Sequence, residues 1–162
     1  MIKLRTQTHS DQTFLFKLFT ETRTKKLQLK TLPDEIASTI IKQQFHAQTT
    51  GYQTDYPDAE FLIVELGDQP IGRLVILERP ETSHIIDIAI SEEKQGQAIG
   101  SNLIKSIIEK STKEQKTVTL NVDELTGPVA LYERLGFKKM GITAGSINMQ
   151  HSVSNRSHQE II

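Results

Sequence analysis

Three groups of residues in this chain have types and spacings that can do chemistry. The first is Gln95-Gly96-Gln97-Ala98-Ile99-Gly100-Ser101, set between an apolar run, Ile85 to Ile90, and a helical pattern, Ile99/Leu103/Ile104/Ile107/Ile108. A strand ending in a small-residue turn that opens a helix exposes backbone N–H groups with no intrahelical partner. Together with the positive end of the helix dipole, those donors suit phosphate oxygens. Small side chains let a phosphate approach the backbone. The second is Tyr132, whose phenol, with an unperturbed pKa of ~10, can give a proton to a leaving group. The third is the pair His84 and Asp87 on the apolar strand, which alternation puts on opposite faces. Histidine titrates near working pH, and a carboxylate in an apolar run needs a partner, so either is a candidate base. Each group also has a structural reading. The turn can serve packing, Tyr132 can pack against Val129, His84 can end a strand in solvent, and Asp87 can bond a neighbouring strand or loop.

The strand-turn-helix resembles motif A of the GNAT superfamily of acyl-CoA-dependent N-acetyltransferases, with Gln95 and Gly100 at the motif's ends and Ala98 in place of its inner glycine. Leu131-Tyr132-Glu133-Arg134-Leu135-Gly136-Phe137 resembles a second segment of that family and follows a strand, Thr117 to Val122, as it does there. Two motifs in order, separated by suitable elements, are far more specific than either alone. The resemblance covers residues 60–150. The stretch from Gln43 through Tyr56-Pro57 is similar to a bacterial subgroup of unassigned substrate. Thr126-Gly127-Pro128 stands where Asn-Pro-Ala is usual, and the missing Asn side chain is expected to loosen that loop.

The resemblance implies an α/β (mixed α+β) fold with a central, mostly antiparallel sheet flanked by helices on both faces. It implies acetyl transfer from acetyl-CoA, as co-substrate, to a primary amine by direct attack in a ternary complex. The pyrophosphate would lie on the backbone of Gln95, Gly96, Gln97, Ala98, Ile99, Gly100 and Ser101; the Cβ of Ala98 is tolerable there if its backbone is helical. The pantetheine arm and the thioester carbonyl would meet main-chain groups of Ile88, Ala89 and Ile90. Tyr132 would protonate the departing thiolate, and His84, Asp87 or water would take the amine's proton. Acceptor specificity would come from the first two helices and the loop after them, with Glu21, Arg23, Gln44, Gln48, Tyr52 and Tyr56 as candidates for a small-molecule or peptide amine. A reading from a different class is a CoA-binding or metabolite-sensing module without turnover, for which Ala98 and Thr126 speak. A third is a scaffold that dimerises through its final strands.

Composition excludes other chemistries. The 162 residues fit one domain with a real core. Net charge is −1, from 19 Lys+Arg against 20 Asp+Glu, so no basic surplus points to nucleic acid. Cysteine is absent, which removes disulfides, thiolate metal sites and a cysteine nucleophile. The five histidines (9, 46, 84, 151, 158) lack metal-ligand spacing, and no metal is expected. There is no nucleotide P-loop, serine elbow or G-x-G-x-x-G. No window approaches a membrane span, so the expectation is a cytoplasmic monomer or homodimer.

The elements that must position these groups follow from patterning. Ile2–Arg5 alternates as a strand. Ser10 or Asp11 can cap a helix with Phe14, Leu15, Leu18 and Phe19 on one face. Pro33-Asp34-Glu35 opens a second helix, with Ile36, Ile40, Ile41 and Phe45 as its buried stripe. Glu60–Leu66 and Ile71–Glu78 read as strands joined by a hairpin turn, Gly67-Asp68-Gln69-Pro70. Lys110, Lys113 and Lys116 near the end of the glycine-turn helix suit its dipole and are expected in solvent. Pro128 opens a short helix closed by Gly136, and Phe137–Met140 and Ser146–Gln150 are the last strands. Residues 1–150 form the expected domain, and 151–162 an expected disordered polar tail.

Overall fold

The computed structural model describes residues 1–27 and 32–152, the side chains of 24–27 aside. The sequence expectation of disorder from residue 153 onward lies outside the described residues. Seven strands and four helices follow the expected order: β1 (Ile2–Thr6), α1 (Gln12–Leu27), α2 (Asp34–Asp55), β2 (Glu60–Leu66), β3 (Gln69–Glu78), β4 (Thr82–Ile90), α3 (Ile99–Lys113), β5 (Thr117–Asp123), α4 (Val129–Arg134), β6 (Lys138–Thr143) and β7 (Ser146–His151). The strands hydrogen-bond in the order β1-β2-β3-β4-β5-β7-β6 as a mostly antiparallel sheet, with β4 and β5 parallel. This is the mixed α/β architecture expected. His151 belongs to β7, opposite Val118.

The described residues gather into two compact units, one within 1–74 with 89–95 and the other within 75–88 with 96–152. In the first unit, α1 and α2 meet through aromatic edges: Phe45 lies 5.3 Å from Phe16 and 5.4 Å from Phe19, both T-shaped. Ile41 completes that cluster. The expected stripe on α2 holds only in part. Ile41 is buried, Ile40 and Phe45 are half-buried, and Ile36 is exposed, because the contact with α1 centres on Phe45, more than two helical turns beyond Ile36. The cap of the first helix also differs from expectation. Thr8 precedes a short 3-10 turn, His9–Asp11, and its N–H donates to Asp11 Oδ2 at 2.8 Å. Asp11 is thus the acidic residue inside the turn, and it receives Arg5 Nη1 and Nη2 at 2.9 and 2.8 Å. The β2–β3 connection is two residues, Gly67-Asp68, with Gln69 and Pro70 already in β3 and Gly67 at φ +64°.

In the second unit, α3 buries Ile99, Leu103, Ile104 and Ile107 at helical spacing. Val118, Leu120 and Val122 of β5 are buried on the expected alternation, with Phe137, Ile147 and Met149. A polar cluster ties strand ends to this helix. Ser83, fully buried, donates to Glu78 Oε1 and accepts from Ser111 Oγ at 3.0 Å. Lys116 was expected in solvent but is mostly buried beside Glu78, with Nζ 3.6 Å from Oε1. Its carbon stem is covered because the backbone turns back there, Lys116 N–H bonding Ser111 O at 2.8 Å.

Candidate active site

The parallel pairing of β4 with β5 runs only from Thr82–Ile85 against Thr117–Leu120. β5 continues with β7 as far as Asp123, whereas the β4–β5 register ends at Ile85. A parted parallel pair offers backbone donors and acceptors to an extended ligand.

At the far end of β4 the chain makes a second short 3-10 turn, Glu92–Lys94, pinned by Ser91 N–H to Ile71 O at 2.7 Å. The Gln95 side chain returns to Ile90 O at 3.0 Å, which holds the turn against the strand end. Gly96 has φ +82°. Ala98 is the N-cap of α3 at φ +60°, ψ +18°, the left-handed region. The helical backbone at Ala98 that would have made its Cβ harmless is therefore not present; the turn needs the inversion a glycine supplies, and Ala98 adopts it with a Cβ in place. The first intrahelical bond is Asn102 N–H to Ala98 O at 2.9 Å, so the N–H groups of Ile99, Gly100 and Ser101 precede the ladder at the positive end of a fifteen-residue helix.

Tyr132 sits on α4, buried, its ring 5.7 Å from Phe137 in a T-shaped contact. Burial, and then the charge of Asp87, push its phenol above the ordinary value. Tyr132 and Asp87 are thus brought within electrostatic reach, and the phenol is held protonated at neutral pH. His84 lies elsewhere on β4. Its Nδ1 is 2.6 Å from Thr119 Oγ1, and burial, then Arg79, hold its imidazole below the usual range, so that it is neutral near pH 7.

The loop before α4 is held by Asp123. Asp123 Oδ1 accepts Leu125 N–H and Thr126 N–H, both at 2.9 Å, and its main-chain O accepts Gly127 N–H at 3.0 Å. A Cβ at Gly127 would meet Val122 Cγ1 and stand 2.7 Å from Asp123 O, so this glycine is required by close approach.

Of the acceptor candidates, Gln48 and Tyr52, one turn apart on α2, are brought together by Arg73 of β3. Arg73 Nη2 donates to Gln48 Oε1 at 2.9 Å, and its guanidinium lies 5.7 Å from the centroid of the Tyr52 ring. The others are dispersed. Glu21 Oε2 accepts Glu92 N–H at 3.1 Å, Arg23 stacks on Phe19 at 5.1 Å, Gln44 is half-buried on α2, and Tyr56 ends α2 with its N–H on Tyr52 O. Arg73, at 8% exposure, was not anticipated. Its signal was a lone charge inside Ile71 to Leu77, an otherwise apolar run in which a cation must be satisfied. Among the described residues no set of three His, Cys, Asp or Glu could hold a metal, and no helix is long and apolar enough to cross a membrane.

Comparisons with known proteins agree with this geometry. The family model described as an acetyltransferase (GNAT) domain matches residues 7–147. A comparison with the curated proteins finds no match. Among solved structures, the PaiA N-acetyltransferase from Thermoplasma acidophilum in complex with coenzyme A is similar at TM-score 0.68 and 16% identity, covering 94% of this chain and 99% of that one. A GNAT family acetyltransferase from Elizabethkingia anophelis with acetyl-CoA bound is similar at TM-score 0.59 and 19% identity, covering 93% and 97%. A spermidine N-acetyltransferase SpeG chimera from Vibrio cholerae and hSSAT gives TM-score 0.63 at 19% identity, covering 97% and 98%. With the family model spanning most of its length, this chain belongs to the GNAT family and is an N-acetyltransferase.

Proposed function

We propose that this protein transfers the acetyl group of acetyl-CoA to a primary amine by direct attack in a ternary complex. The observation that carries the reading is the end of the β4–β5 register at Ile85, beyond which β4 runs on to Ile90, where the pantetheine arm would lie. The turn from Gln95 to Ser101 takes the pyrophosphate on the N–H groups that open α3. Main-chain N–H groups of Ile88 to Ile90 orient the thioester and stabilise the oxyanion.

The amine nitrogen, neutral at attack, bonds the acetyl carbon while the C–S bond breaks, and the electron pair leaves on sulfur. Tyr132 gives its phenolic proton to that thiolate. Burial, then the charge of Asp87, keeps the phenol protonated until negative charge builds on sulfur, and the proton released by the amine restores it. The surplus proton on nitrogen goes to His84, Asp87 or water; a neutral His84 is competent for it. With no cysteine in the chain, no thiol acyl-enzyme is involved. Gln48, Tyr52 and Arg73 form the wall met by the acceptor.

Tyr132→Phe tests the mechanism. Turnover, followed by thiol release, should fall by about 10²–10⁴ while acetyl-CoA affinity stays near wild type. Unchanged turnover would remove Tyr132 from the mechanism. The alternative, a CoA-binding or metabolite-sensing module without turnover, draws on the strained Ala98; it predicts acetyl-CoA binding with no thiol release from any amine.

A further inference from the structure

β3 carries a single glycine within its run, Gly72, and a glycine inside a strand marks the close approach of another backbone. A Cβ at this position would stand 2.5 Å from Ala89 O, 2.8 Å from Ile90 Cδ1 and 3.4 Å from Ile90 Cα. In a flat pair of strands the carbonyl oxygens lie in the plane of the sheet, while side chains project out of it. Ala89 O lies where a side chain would project, so the end of β4 has left that plane and rests on the bare Cα of Gly72. Two hydrogen bonds fix it there. Ser91 N–H reaches Ile71 O at 2.7 Å, and the Gln95 side chain holds Ile90 O at 3.0 Å.

We propose that Gly72 is a positioning residue for acetyl transfer: its missing Cβ lets the main chain of Ala89 and Ile90 settle where it meets the thioester carbonyl. The inference rests on the reading that main-chain groups of Ile88 to Ile90 orient the acyl end. Of the contacts a Cβ would make, the one with Ile90 Cδ1 is relieved by turning a flexible side chain. The one with Ala89 O is not, because that oxygen moves only with the planar peptide it belongs to. Restoring ordinary contact displaces it by about 1 Å, and a misplacement of that size near reacting atoms can cost about 10²-fold in rate. An N–H that polarises a carbonyl acts over about 2.7–3.1 Å, which leaves no slack for such a shift.

The hold on the pyrophosphate does not share this dependence. The atoms nearest a Cβ at Gly72 all belong to Ala89 and Ile90, whereas the N–H groups proposed for the pyrophosphate open α3, later in the chain. A change at Gly72 therefore separates the hold on the acyl group from the hold on the rest of the cofactor.

The probe is acetyl-CoA labelled with carbon-13 at the thioester carbonyl, followed by isotope-edited infrared spectroscopy on the intact protein with no amine present. Bound to the wild type, the carbonyl stretch should move to lower frequency than in buffer, as hydrogen bonding polarises it. In Gly72→Ala it should return most of the way to the buffer value, while CoA binds within about threefold of wild type by calorimetric titration. Ile63→Val, at a fully buried position on β2, controls for lost stability: it should lower the thermal midpoint yet keep the wild-type frequency. A wild-type frequency in Gly72→Ala overturns the role of Gly72 and leaves acetyl transfer standing. An equal change in Ile63→Val overturns it too, since lost stability alone would then explain the effect. A bound wild type whose carbonyl keeps its buffer value instead sinks the main-chain reading on which the role depends. Should Gly72→Ala not fold, amide NMR on the wild type decides. Acetyl-CoA and CoA should give different shifts at Gly72, Ala89 and Ile90, and identical shifts at Gly72 overturn the proposal.

Discussion

Ala98 and Tyr132 illustrate how surroundings act on single residues. Ala98 is held at φ +60°, a conformation that costs an L-residue about 1–2 kcal/mol and a glycine almost nothing. Ala98→Gly should raise stability to chemical denaturant by about 1 kcal/mol without weakening acetyl-CoA binding, measured by calorimetric titration. A loss of stability would mean that unfolded-chain entropy, which glycine increases, outweighs the relieved strain. Tyr132 works in the opposite sense, its environment withholding ionisation through burial and the charge of Asp87. The identity of Ala98 could be read from the chain, but its φ could not, since an alanine ordinarily keeps a negative φ. The same holds for Arg73, whose lone charge was visible and whose partners, Gln48 and Tyr52, were not.

Elements are positioned by a few side-chain-to-backbone bonds. The entry to α1 depends on Asp11, which binds Thr8 N–H and the Arg5 guanidinium. Those bonds, Arg5 first, hold its carboxyl at about 2 against an ordinary 3.8. A depressed carboxylate stabilises the fold fully above its unfolded pKa and loses that contribution as pH falls. Here the window runs from 3.8 down to about 2. Arg5 is partly exposed, so water screens the pair and its worth is at most about 2 kcal/mol. Asp11→Asn should lower stability by up to that amount near neutrality and flatten the acid limb of a pH–stability curve. The approach to α4 depends instead on Gly127. Gly127→Ala must displace Val122 or Asp123, costing about 1–3 kcal/mol, and should cut turnover by moving Tyr132. Retained stability and turnover would show that the loop has slack. Order and type of the elements were legible because periodicity and turn residues are local signals. The cap at Thr8 and the exposure of Ile36 were not, because they depend on neighbours distant in sequence.

For the molecule as a whole, the decisive expectation is ligand-linked stability. At about 100 times its dissociation constant, acetyl-CoA should stabilise the native state by ~2.7 kcal/mol, seen as a rise in thermal midpoint. No rise with folded protein would mean that Ala98 has disabled the phosphate turn, and the fold would stand without its chemistry. The sequence by itself determined the order of strands and helices, the small-residue turn before α3, the tyrosine segment and the absence of cysteine chemistry. Covalent order and local spacing carry that information, and two motifs at the right separation sufficed for the family. Tertiary structure decided where the β4–β5 register ends, which backbone Ala98 adopts, how Asp123 holds the loop before α4, and that Lys116 turns inward to Glu78. Each of these is settled by packing and hydrogen bonds between residues far apart in the chain, where local propensity is overridden by the need to satisfy buried groups.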